Sequence, residues 1–183
     1  MRPKQIISCT VWCILFCLIV PLGALKAQDV ATGATSPGVA REITLRIGEG
    51  YVTDTQSIEG RITVLEVMRG EKAWDLVKAS SPANKPAGAG MEYLVARIRF
   101  ELGAKGATGN QTYAVREEQF VSVSSDGKQY ETPSVAHPKP TLSGKLYEGE
   151  SLEGLIALLV AVGEAKPLMN FGNNYNRVWF KLY

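Results

Sequence analysis

The longest clean alternation of apolar and polar positions runs through residues 91–102, MEYLVARIRFEL. Leu94, Ala96, Ile98, Phe100 and Leu102 fall on one side of it; Tyr93, Val95, Arg97, Arg99 and Glu101 fall on the other. Successive side chains of a strand point to opposite faces, so the pattern predicts a strand with an apolar inner row and a mixed outer row. Residues 41–47 alternate in the same way, with Ile43, Leu45 and Ile47 on one face, and residues 61–69 (RITVLEVMR) are rich in β-branched side chains. Residues 73–77 (AWDLV) are expected to continue an edge strand or to cap the core, with Trp74 as a core aromatic. Residues 113–123 form a further strand region. Ser125-Asp126-Gly127-Lys128 is the clearest turn signal, because Asp-Gly accepts the positive φ of a tight hairpin turn at low steric cost. It joins the strand ending near Ser124 to residues 129–132, and a hairpin is antiparallel by construction. Residues 168–171 read as a short strand or turn, and residues 177–183 (RVWFKLY) as the closing strand.

Residues 151–162 (SLEGLIALLVAV) fit two patterns. Leu, Ala and Glu favour a helix that Gly163 would cap, whereas an uninterrupted apolar run also describes a strand buried on both faces. Between these elements lie loops rich in Gly, Ala, Ser and Pro at 79–90 and 103–110, an extended connection carrying Pro133, Pro138 and Pro140, and a polar loop at 172–176. About seven short strands separated by turns predict an all-β chain, an antiparallel sandwich in preference to a barrel.

The first 27 residues have a different character. Arg2 and Lys4 precede an uncharged apolar run from Ile6 to Val20, Pro21 and Gly23 follow, and Ala24-Leu25-Lys26-Ala27 offers cleavage after Ala27. This is the layout of a secretory signal peptide. Leu25 is bulkier than the small residue usual at that place, and an uncleaved membrane anchor is the rival reading. The apolar run falls short of the ~20 residues that span a bilayer. Cys9, Cys13 and Cys17, the three cysteines of the chain, all lie in this segment. The cleaved protein would then hold no disulfide, and about 156 residues must be stabilised by a core. Cys17 follows Leu15-Phe16, which does not suit a lipidation site. Residues 28–40, mostly Ala, Thr, Gly, Ser and Pro, are expected to be a flexible linker, and residues 41–183 the domain. The formal charge of +2 includes Arg2, Lys4 and Lys26; without them 17 basic residues face 18 acidic ones, about −1. So balanced a charge gives no electrostatic reason to expect nucleic acid as a partner.

The order of elements resembles a known family: immunoglobulin-like domains of uncharacterised function in exported bacterial proteins and lipoproteins, related to the mycobacterial immunoprotective extracellular protein. The residues that carry the resemblance are Arg69-Gly70-Glu71 running into Ala73-Trp74, Asn84-Lys85-Pro86, Glu92-Tyr93-Leu94-Val95, Ser125 to Tyr130, Gly149-Glu150 leading to Glu153-Gly154, and Trp179-Phe180. The resemblance spans roughly residues 41–183. The resemblance implies an immunoglobulin-like sandwich outside the cytoplasm, favours a strand at 151–162, and carries over no catalytic residue.

Candidate chemistry is sparse. His137 is the single histidine, and with no cysteine outside the leader it cannot build the usual zinc site. Glu148, Glu150 and Glu153 do not have the spacing of a calcium loop. Glu117 and Glu118 would point to opposite faces of a strand, which makes them poor acid/base partners. Residues 103–110 lack the phosphate-loop lysine pattern. Asn110-Gln111-Thr112 is a glycosylation sequon, relevant only in a eukaryotic host. Arg97 and Arg99 share a face about 6–7 Å apart along a strand, and with Tyr93 they form the expected contact surface. Tyr175, an aromatic in a polar loop, is a further contact candidate for a protein or glycan. No metal or cofactor is expected, and a membrane is expected as a partner only if the leader stays attached. These features point to an exported, non-enzymatic interaction module; a carboxylate-dependent carbohydrate hydrolase and a structural spacer are the alternatives.

Overall fold

The computed structural model describes residues 32–47, 56–103, 112–172 and 177–183. Nine strands and one α-helix are built from them: β1 (Ala40–Ile47), β2 (Gln56–Arg69), α1 (Gly70–Ser80), β3 (Met91–Leu102), β4 (Thr112–Val115), β5 (Phe120–Val123), β6 (Gly144–Tyr147), β7 (Ser151–Ala161), β8 (Leu168–Phe171) and β9 (Val178–Lys181). One layer is a four-stranded antiparallel sheet in the order β1-β2-β3-β7. A three-stranded sheet β5-β8-β9 and a two-stranded sheet β4-β6 supply the strands of the opposing layer. The chain is thus an all-β antiparallel sandwich, as its pattern predicts, with nine strands among the described residues, of four to 14 residues, where about seven short ones are expected.

β3 lies at the centre of the large sheet, between β2 and β7. Its row Leu94, Ala96, Ile98, Phe100 and Leu102 enters the main core, all at 2% exposure or less. Phe100 lies 5.7 Å from both Tyr113 of β4 and Phe171 of β8, and Phe171 lies 4.8 Å from Phe120 of β5. One chain of aromatic contacts therefore links strands of all three sheets. Aromatic pairs contribute roughly 0.5–1.5 kcal/mol beyond their area burial, so this chain helps to fix the layers to one another.

The outer face of the large sheet is divided. Near the start of β3, α1 lies on it, and Ala73 and Val77, one helical turn apart, pack with Met68, Tyr93, Val95 and Ala157. Residues 73–77 are therefore helical and not an edge strand. The side chain of Asn84 closes the helix end by donating to the Val77 carbonyl at 2.7 Å. Beneath this helix, β7 is covered on both faces, which explains its uninterrupted apolar run.

Other expectations are corrected in detail. Residues 113–123 do not form one strand: a short 3-10 turn, Glu117–Gln119, separates β4 from β5. The Asp126-Gly127 turn is present, with Gly127 at φ +87°, yet its return arm pairs with β5 only through a bridge at Gln129. β6 is an additional strand, too short to announce itself by alternation. Within the expected linker, Thr35 pairs with Phe180 of β9 and Ala34 is buried, so this part of the stretch is tied to the body. The leader, residues 104–111 with Asn110 and Gln111 of the sequon, and Tyr175 lie outside the described residues.

Candidate functional site

The half of the outer face that α1 leaves open carries charges in register. Glu42, Arg61 and Glu101 lie opposite one another across β1, β2 and β3. Arg61 reaches both carboxylates, Glu42 at 3.2 Å and Glu101 at 3.8 Å. Next along the sheet, Arg99 faces Thr63 on one side and Glu153 on the other. Arg97 then lies between Glu66 and Leu155. A β-bulge between Val64 and Glu66 places Glu66 and Met68 on this face.

Arg97 and Arg99 are exposed, as expected, but they are not a bare cationic pair. Both close on Glu153, Arg99 at 3.0 Å and Arg97 at closer range. Hydrogen bonding from Arg99 leads in holding the Glu153 carboxyl below the ordinary carboxylate range; burial opposes it, and Arg97 adds to the lowering. Opposite charges opposite one another stabilise a sheet pair, and they leave this surface mixed in sign. A bare anion would compete with Glu153 for both guanidiniums, so the cluster suits a mixed-charge partner better than a small anion.

Tyr93 is the correction. Its parity places it on the outer face, but α1 covers it, and it is 6% exposed. Its ring stacks on Trp74 at 5.7 Å and its hydroxyl donates to the Lys85 carbonyl at 2.9 Å. It belongs to a second, smaller core and is not a contact residue.

The boundary between the helix and the charges holds a recess of about 250 Å³ that pattern reading did not find. Met68, Leu76, Pro140 and Leu155 form its apolar wall, with Glu66, Arg97 and Glu153 at its charged rim. Recognising α1 would have revealed it, since Leu76 reaches the sheet only as part of a helix. Pro140 arrives from the connection between β5 and β6, which runs along the outer edge of β7. There Leu155 donates to the Pro140 carbonyl at 2.7 Å, and Thr141 bridges Leu155.

His137 belongs to the same connection. Its Nδ1 accepts the Ala157 backbone N–H at 2.9 Å, so the imidazole supplies an acceptor that a neighbouring strand would otherwise provide. Burial pushes its pKa below the ordinary value, and the carboxylates of Glu117 and Glu118 act in the opposite direction. The remaining acidic candidates do not converge. Glu150 accepts the Tyr147 N–H at 2.8 Å while Glu153 serves the arginines. Among the described residues no group of three His, Cys, Asp or Glu side chains is placed to hold a metal ion. Among the same residues no helix is long and apolar enough to cross a membrane.

Neither a protein-family model nor a curated protein matches the sequence. Among solved structures, the ycdA protein of Bacillus subtilis is similar over 67% of this chain and 35% of its own, at 16% identity and a TM-score of 0.46. The yjhA protein of Bacillus subtilis is similar over 81% of this chain and 99% of its own, at 12% identity and a TM-score of 0.45. The chain thus spans about a third of the ycdA protein's length.

Proposed function

We propose that this chain is an exported, non-enzymatic, immunoglobulin-like module of the bacterial cell envelope, and that it binds a protein partner through the open half of the large sheet. The observation that carries this reading is the recess beside α1. An apolar pocket rimmed by charges of both signs suits one buried anchor side chain surrounded by polar contacts, the usual anatomy of a protein contact. The leader sequence supports export, and the resemblance to the exported immunoglobulin-like domains agrees with it. A glycan is the other partner class; it would favour exposed aromatic rings, and Tyr93 no longer offers one here.

The rival reading, a carbohydrate hydrolase, needs two carboxyls about 5–9.5 Å apart across a cleft, free to act as acid and base or nucleophile. One acidic recess is lined by Glu42, Glu59, Glu101 and Glu150. Glu42 and Glu101 hold Arg61, and Glu150 holds a backbone N–H, which commits three of the four to other work.

The test is a comparison of partners cross-linked in envelope preparations by the native protein and by an Arg97→Glu, Leu76→Ser double variant. Loss of specific partners from the variant, with its melting curve still cooperative, is expected. Identical recovery by both proteins would exclude this face.

A further inference from the structure

The two edges of the large sheet are treated differently. The β7 edge is covered by the connection carrying His137, Pro140 and Thr141. Among the described residues the β1 edge has no such cover, and β1 pairs only with β2. Two cavities, of about 490 and 370 Å³, lie alongside it and together use Glu42 to Arg46 as one wall, with Phe171 on the other. An uncovered edge beside a partly apolar groove is a template for a further strand.

We propose that a second copy of this chain supplies that strand, pairing antiparallel with β1 about a twofold axis through Thr44. The argument is the strand's self-complementarity. A twofold axis perpendicular to the sheet keeps each face on its own side, so only residues of the same face can oppose one another. Of the registers this allows, centring on Thr44 sets Glu42 opposite the other copy's Arg46, twice per interface. The same register sets Ile43 opposite Leu45 on the core side. Centring on Ile43 instead puts Glu42 opposite Thr44, and centring on Leu45 leaves Arg46 facing Thr44. Glu42, Thr44 and Arg46 are all exposed, whereas Ile43 and Leu45 already point into the core. The assembled sheet would run through eight strands, and the inference stands independently of the partner surface proposed above.

The experiment is sedimentation of the purified protein over a concentration series at low salt. A reversible monomer–dimer equilibrium is expected. Glu42→Arg and Arg46→Glu should each weaken association at least tenfold, because each places like charges opposite one another twice. The double variant Glu42→Arg, Arg46→Glu should regain it. Both positions are exposed, and circular dichroism melting checks that the variants fold. A native protein that stays monomeric throughout overturns the proposal. So does a dimer indifferent to both single variants, or a double variant no better than either one.

Discussion

Tyr93, Arg97 and Arg99 share a parity and a face, and burial alone separates their roles. Tyr93 has a ring stacked beneath α1 and a hydroxyl bonded to a backbone carbonyl. Tyr93→Ala is expected to cost about 3–5 kcal/mol in urea unfolding, the range for removing a buried aromatic. Arg97→Ala with Arg99→Ala removes two exposed charge pairs and should cost no more than about 1 kcal/mol. A reversal of that ranking would mean that α1 does not cover the sheet. Gly154 is decided by space. A Cβ there would lie 2.5 Å from the Leu142 nitrogen and the Thr141 carbonyl carbon, both backbone atoms. Gly154→Ala should therefore displace the connection, costing about 1–3 kcal/mol and speeding hydrogen exchange at Leu142 and Leu155.

At the scale of elements, the connection between β5 and β6 holds an acid-sensitive contact. His137 accepts a backbone N–H only while Nδ1 is unprotonated. Its pKa is lowered in the folded state, so the unfolded chain binds more protons as pH falls through about 6.5. Stability from this contact is therefore full above that pH and is lost below it, as pH falls toward and through the folded value. Melting temperature measured from pH 8 to 5 should show this step, and His137→Ala should flatten it while lowering stability at pH 8. An unchanged profile in the variant would assign the step to other groups. The elements legible in the sequence are β1 and β3 by their alternation, β2 by its β-branched side chains although a bulge breaks its period, β9, and the Asp126-Gly127 turn by its residue types. α1 was missed because Ala73, Trp74, Leu76 and Val77 satisfy a five-residue strand template as well as a helical one. Only the sheet surface beneath them, formed by Met68, Val95 and Ala157 from three strands, selects the helix. Val95 and Ala157 of that surface are remote in sequence, and so are parts of the recess it borders and the cover over Tyr93.

Across the whole molecule, one aromatic chain within the main core links the layers. Phe100 sits where β3 meets both β4 and β8. Phe100→Ala should cost about 3–5 kcal/mol, and fluorescence and far-ultraviolet dichroism should lose their signals together, since one core serves all three sheets. Non-coincident transitions would show the layers folding as separate units. The succession of short strands and turns along the chain is enough to foresee an all-β sandwich. The three-sheet division was not foreseeable, because strands of four residues such as β4 and β6 carry too few positions to define a period.

The bulge in β2 gives the strand slack in length. Ordinarily, adding or removing one residue of a strand turns everything beyond it inside out. Leu65 is the residue that β2 carries without a counterpart in β3. Deleting it leaves Val64 facing in and Glu66 facing out, so the phase of both halves survives. A one-residue deletion at Ile98, in the middle of β3, has no such reserve and would turn one half of the inner row toward water. Length variation in this fold should therefore be tolerated at Leu65 and rejected along the strand beside it.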